Sequence, residues 1–190
     1  MFPTKTCLRD THTRGCGDMV NINLNNGYTV QSLTLNELKM VEILNLRCSD
    51  YYILHDGVIP SENEALEIFN ALPSGKNYED KFSLGIYKSE NELIGVIDIV
   101  RNFPVDGEWM LGLLLIEPEA RNSGLGKLIH EALVKWAIGL GSRSFRIGVI
   151  EGNHKGRKFW TDLGYIKITE VAINKPEKTN IVNVMTFRCN

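Results

Sequence analysis

Leu113-Leu114-Leu115-Ile116-Glu117-Pro118-Glu119-Ala120-Arg121-Asn122-Ser123-Gly124-Leu125-Gly126-Lys127 is an apolar strand that runs into a glycine-bearing loop, and the loop opens straight into a helix. Leu125, Leu128, Ile129, Ala132, Leu133, Trp136 and Leu140 follow the i, i+3, i+4 rule, so the helix is amphipathic. Such a junction makes an anion site from backbone alone. First-turn N–H groups lack intrahelical acceptors, the helix dipole adds partial positive charge, and Gly124 and Gly126 let a phosphate approach closely. Arg121 and Lys127 would add charge-assisted bonds to a pyrophosphate or ribose phosphate. A P-loop is excluded, because the four-residue gap and the hydroxyl residue after Lys127 are missing. A dinucleotide fingerprint is excluded too, since Ile129 stands where the third glycine belongs.

Working outward, Phe82–Tyr87, Glu92–Val100 and Glu108–Ile116 read as three strands separated by short polar turns, a spacing that favours antiparallel neighbours. The third is apolar on both faces and should lie in mid-sheet. Downstream come a strand at Ser144–Ile150, a short helix at His154–Leu163 closed by Gly164, and two strands at Tyr165–Ile173 and Ile181–Arg188. The apolar phase shifts between Ile168 and Val171, which predicts a bulge. Upstream, Thr34 with Glu37 and Ser61 with Glu64 have capping-box spacing and predict helices over Leu35–Arg47 and Ser61–Leu72. His130 falls off the apolar stripe and is expected to face solvent. The order predicts an α+β domain over residues 27–190, a single mixed, mostly antiparallel sheet with helices on both faces. Residues 1–26 read as an extension with one short strand at Met19–Leu24.

The chain of 190 residues suits one domain with a core that needs no metal or disulfide. A formal net charge of −2 provides no field to gather nucleic acid or an anionic membrane, so any anion site must be local. Cys7, Cys16, Cys48 and Cys189 show no zinc-ligand spacing and read as free thiols in a reducing cytoplasm; no metal is expected. No apolar run approaches the roughly 20 residues that span a bilayer, and the opening residues are polar where a secretory leader is apolar.

The segment Arg121-Asn122-Ser123-Gly124-Leu125-Gly126 resembles motif A, [Q/R]xxGx[G/A], of the GNAT superfamily of acyl-CoA N-acyltransferases. The likeness continues into motif B, where Asn153, the pair Phe159-Trp160 and Leu163-Gly164-Tyr165 match an asparagine, a short helix with an aromatic pair and an LG[F/Y] ending. Two linked motifs in the expected strand and helix context are far more specific than either alone. The resemblance implies a cleft where the strands Glu108–Ile116 and Ser144–Ile150 splay apart around the pantetheine arm of acetyl-CoA. By position, the backbone of Leu114, Leu115 and Ile116 would bond that arm. Arg121, Asn122, Ser123, Gly124, Leu125, Gly126 and Lys127 would hold the pyrophosphate, and Asn153 and Phe159 would contact the cofactor from the other side.

Acyl transfer to an ammonium requires that it first lose a proton. Glu108 is the leading candidate base; the glutamate slot of the family is Met110, and Glu108 lies two residues earlier on the same strand face. Asp98 is the second, because it interrupts the apolar run Ile94–Val100; it would serve as base, bind the substrate ammonium, or pair with Arg101. Many family members protonate the departing thiolate with a tyrosine whose slot here holds Trp160, which has no acidic proton to give. Solvent, Tyr165 or another tyrosine would replace it. Tyr51 and Tyr52 fall where this fold builds its acceptor pocket. The expected activity is transfer of acetyl from acetyl-CoA to a primary amine of a small molecule or peptide, by a monomer or homodimer. The competing reading is a CoA-binding sensor that has lost catalysis.

Overall fold

The computed structural model describes residues 19–24, 27–174 and 178–189. Eight strands form one sheet: β1 (Asn21–Asn23), β2 (Thr29–Ser32), β3 (Lys81–Ser89), β4 (Glu92–Val100), β5 (Glu108–Ile116), β6 (Ser144–Ile150), β7 (Ile166–Asn174) and β8 (Thr179–Arg188). Their spatial order is β1-β2-β3-β4-β5-β6-β8-β7. Every pairing is antiparallel except β5 with β6. The helices are α1 (Leu38–Arg47), α2 (Ser49–Asp56), α3 (Glu62–Asn70), α4 (Leu125–Gly139) and α5 (His154–Asp162).

Both capping boxes form. The Thr34 amide donates to Glu37 at 2.7 Å and opens a 3-10 turn at Leu35–Glu37 that leads into α1. The Ser61 amide donates to Glu64 at 2.6 Å at the start of α3. Helix α2 is not announced by the sequence; it ends at Gly57, whose φ of 83° closes the last turn. The late bulge lies between Lys167 and Thr169, just before the predicted place.

Two apolar cores sandwich the sheet. One packs Leu125, Ile129, Leu133 and Ala137 of α4 on Ile97, Ile99, Trp109, Phe145 and Met185. The other packs Val41, Leu44, Tyr52, Ile68 and Phe69 of α1–α3 on Leu33, Tyr87, Val96 and Leu115. Each fully buried Ile, Leu or Phe contributes roughly 1.5–3 kcal/mol. His130 does not face solvent. It is buried on α4 among Phe145, Trp160, Tyr165 and Phe187, its Nε2 3.1 Å from the Tyr165 hydroxyl. The strand side of α4 is wider than the narrow stripe read from the leucines, because the aromatic ends of α5, β7 and β8 wrap around it. Cys48 and Cys189 are free; Cys7 and Cys16 lie outside the described residues. No helix is long and apolar enough to cross a membrane, and no metal-ligating cluster occurs among the described residues.

Candidate functional site

The parallel ladder of β5 and β6 is short. It comprises Glu108 with Ser144, Trp109 with Phe145, and Met110 with Arg146. Beyond Met110, β5 stays with β4 up to Ile116, while β6 stays with β8 up to Ile150. A wedge therefore opens, its lips formed by residues 111–116 and 147–150. Its cause is local: the β4–β5 register slips between Asp98 and Ile99, leaving Gly112 as the extra residue of a bulge, and a bulged strand bends. The bulge also switches faces. Trp109 and Leu111 pack under α4, and so does Leu114, whereas Leu113 and Leu115 pack under α1–α3. The backbone of Leu114, Leu115 and Ile116 pairs with Ile97, Val96 and Gly95 of β4 and, among the described residues, has no strand on the wedge side.

At the wide end, a 3-10 turn (Pro118–Ala120) leads to Asn122 and Gly124, whose φ values of 61° and 84° turn the chain into α4. Ser123 Oγ donates to the Ala120 carbonyl at 2.8 Å and accepts a long bond from the Leu125 amide at 3.4 Å. The amides of Gly126 and Lys127 lie in the first turn and have no intrahelical acceptor. A Cβ on Gly124 would meet nothing within 4 Å, so the loop crest is open. A Cβ on Gly126 would lie 3.1 Å from the Phe159 ring, so Gly126 is glycine for packing against α5 as well. The Asn153 side chain caps α5 by accepting from the Gly156 amide at 2.8 Å. Lys127 is exposed, its Nζ 3.8 Å from Glu131.

Arg121 is half-buried and engaged by neighbouring groups of the protein. Its Nε donates to the Ile116 carbonyl at 2.7 Å and its two terminal nitrogens reach Asp50 of α2 at 2.5 and 3.1 Å. The guanidinium holds the Asp50 carboxyl below the usual range, while burial pushes the nearby Cys48 thiol up to about 11 against the opposing pull of Arg121. Glu117 of the acidic-Pro turn pairs with Arg47 at 2.7 Å.

Helix α2 runs from the loop after β5 to the residues that follow β6 and open β8. Its first turn is tied by Asp50 to the loop after β5. At its last turn Leu54 Cδ1 reaches to 3.8 Å from the position of a Gly152 Cβ, the Leu54 carbonyl accepts from Lys178 at 2.6 Å, and the His55 carbonyl accepts from Asn180 at 2.6 Å. Gly152 follows β6, and Asn180 lies in β8. The core-facing side of α2 carries Cys48, Tyr51, Tyr52 and His55. Tyr52 is buried in the α1–α3 core; Tyr51 is half-buried, edge-on to Tyr52 and stacked on His55 with ring centres 5.5 Å apart. His55 Nδ1 is 2.8 Å from Asp56.

At the narrow end each carboxylate already has a cation. Glu108 lies on Arg146 of β6, with contacts of 3.1 and 3.5 Å. Asp98 pairs with Lys81 of β3 at 2.5 Å, and Arg101, the partner suggested by sequence proximity, pairs with Asp80 instead. Burial raises the Asp98 carboxyl above the usual range, and the Lys81 ammonium offsets only part of that cost. Trp160 lies among Phe159, His130 and Tyr165. The Tyr165 hydroxyl, almost fully buried against His130, is raised far above its usual value by desolvation.

The model of the acetyltransferase (GNAT) family matches residues 40–165. No curated protein sequence matches the chain. Among solved structures, an acetyltransferase from Thermus thermophilus superposes with a TM-score of 0.66 at 17% identity, over 85% of this chain and 96% of that one. A spermidine N-acetyltransferase from Vibrio cholerae in complex with CoA and spermine gives 0.65 at 16% identity, over 87% and 97%. The ribosomal-protein-S18-alanine N-acetyltransferase from Escherichia coli gives 0.64 at 14% identity, over 86% and 94%. At these identities the likeness is one of fold.

Proposed function

Because this chain belongs to the acetyltransferase (GNAT) family, as the match over residues 40–165 shows, we propose that it transfers acetyl from acetyl-CoA to a primary amine by direct attack in a ternary complex. The observation that carries this reading is the wedge with the unpartnered N-terminus of α4 at its wide end. A pantetheine arm suits the free edge at Leu114, Leu115 and Ile116, which can bond it like an added strand. The amides from Asn122 to Lys127 suit a pyrophosphate by dipole and by donor geometry. Phe159 and Asn153 flank the same space from α5. Arg121, through Asp50 and the Ile116 carbonyl, fixes the loop that presents those amides.

The amine attacks the thioester carbon, and the oxyanion is stabilised by backbone N–H groups near Leu114, the kind of preorganised donor worth most in acyl transfer. Glu108 and Asp98 are the proposed groups for taking the amine proton or holding the ammonium, and their internal cations set the field in which they act. Acceptors named in the fold neighbours are a polyamine and a protein alanine. A small-molecule or peptide amine is the acceptor class proposed here, in the cytoplasm. The alternative, a CoA sensor without turnover, is favoured by one observation: both candidate carboxylates, Glu108 and Asp98, are paired with cations, and Trp160 fills the tyrosine slot. Thiol release from acetyl-CoA across a broad amine library separates the two. Amine-dependent release supports the enzyme, and acetyl-CoA binding without release from any amine supports the sensor.

A further inference from the structure

A thiolate leaving within the wedge must gain a proton, and few donors overlook it. Trp160 is packed in the aromatic cluster under α4, and Tyr165 is buried with its hydroxyl on His130. Tyr52 is buried in the opposite core, and Tyr78 is exposed just before β3. Helix α2 is different, because its first turn is fastened to the loop after β5 and its last turn to the start of β8, beside the end of β6, which carries the helix across the opening. On its core-facing side Tyr51 packs against the α1–α3 core, the same core that Leu113, the first residue after the β5 bulge, packs against.

We propose that Tyr51 is the proton donor to the CoA thiolate, a role that rests on the acyl-transfer reading above. Three features support it beyond position. The Tyr51 ring is held edge-on by Tyr52 and in a stack by His55, and its hydroxyl has no hydrogen-bond partner among the described residues. The residue is half-buried rather than sealed, so a ligand or water can approach it. Burial pushes its pKa up to about 12, with the Asp56 charge adding to the effect, so it carries its proton at neutral pH. The step balances: the C–N bond forms, the C–S bond breaks, and sulfur takes the Tyr51 proton. The nitrogen sheds one proton on becoming an amide, and that proton returns to the tyrosinate through water.

The test uses the full chain with the best amine from the library. Tyr51→Phe removes one oxygen that bonds no other described residue, so melting temperature and acetyl-CoA affinity should stay as in the wild type. General acid catalysis of this kind contributes about 10²-fold to 10⁴-fold, and a good leaving group belongs at the low end, so kcat should fall about 10²-fold. A second readout is one that packing would not move: with 3-fluorotyrosine at position 51, a more acidic phenol of nearly the same shape, kcat should change with phenol acidity. Full turnover in Tyr51→Phe, or a rate indifferent to fluorination, overturns the assignment while leaving the acyltransferase reading intact. A wild-type protein that binds acetyl-CoA and releases no thiol with any amine overturns both.

Discussion

Replacing Asp98 by Asn removes the charge paired with Lys81, whose side chain is 1% exposed against 19% for Asp98. The ammonium then stays buried without that counter-charge. Breaking a buried pair in this way costs about 3–5 kcal/mol, and the partial exposure of Asp98 puts the loss near the lower figure, about 3 kcal/mol. For a domain of this size each kcal/mol moves the melting temperature by roughly 2–4 °C, so Asp98→Asn should lose roughly 6–12 °C. Lys81→Met should cost less, because burial already raises the Asp98 carboxyl and the group can take a proton. With its folded pKa above the unfolded one, Asp98 is best tolerated at low pH and its favourable contribution is lost as pH rises through the folded value. Lys81→Met should therefore regain stability as pH is lowered from neutrality. The double change Lys81→Met, Asp98→Asn should cost less than the sum of the single losses, because neither charge is then left unpaired. Urea denaturation of the four proteins at pH 7 gives the coupling energy directly. Equal, additive losses in the singles and the double would show that the pair is not coupled, and the assignment of Asp98 as half of a buried ion pair would be wrong.

Three further outcomes are expected. Gly126→Val drives a side chain into Phe159, so acetyl-CoA affinity measured by calorimetry should fall at least about tenfold along with an overpacking loss of about 1–3 kcal/mol; unchanged affinity in folded protein refutes the loop assignment. Glu108→Gln should leave acetyl-CoA affinity intact and lower kcat about 10²-fold, with partial relief at high pH where the amine deprotonates itself; a loss that does not vary with pH points to the Arg146 contact as its whole role. Burial lowers His130 from 6.5 to about 4, so its stabilising contribution is present above 6.5 and is lost as pH falls toward 4, about 3 kcal/mol in all. A His130→Gln protein should show a flatter stability profile over that range in urea titrations.

Much of this architecture is legible in the letters. The strands Glu92–Val100, Glu108–Ile116 and Ser144–Ile150 have the boundaries read from the sequence, because each apolar run is bounded by polar turns. Helix α4 follows its apolar period, and α1 and α3 are announced by their capping boxes. Helix α2 is less visible: eight residues give little periodicity, and the only signal is the Cys48–Tyr52 spacing followed by Gly57. Partners across strands are invisible without register, which is why the sequence does not place Lys81 beside Asp98 or Arg146 beside Glu108. The solvent-facing reading of His130 fails for a related reason. A helix stripe shows which residues are apolar, whereas the burial of this histidine depends on Tyr165 and Phe187, distant in sequence. Arg121 keeps its place in the motif, but its engagement with Asp50 requires knowing where α2 runs.

The central claim, that acetyl-CoA occupies the wedge between β5 and β6, is tested most directly by following backbone amide resonances as acetyl-CoA is added to the labelled protein. Saturable shifts are expected at Leu114–Ile116, at Asn122–Lys127 and around Asn153–Phe159, with shifts at Tyr51 where α2 crosses the wedge. Saturable shifts confined to residues outside the wedge, or none at millimolar acetyl-CoA, would contradict it.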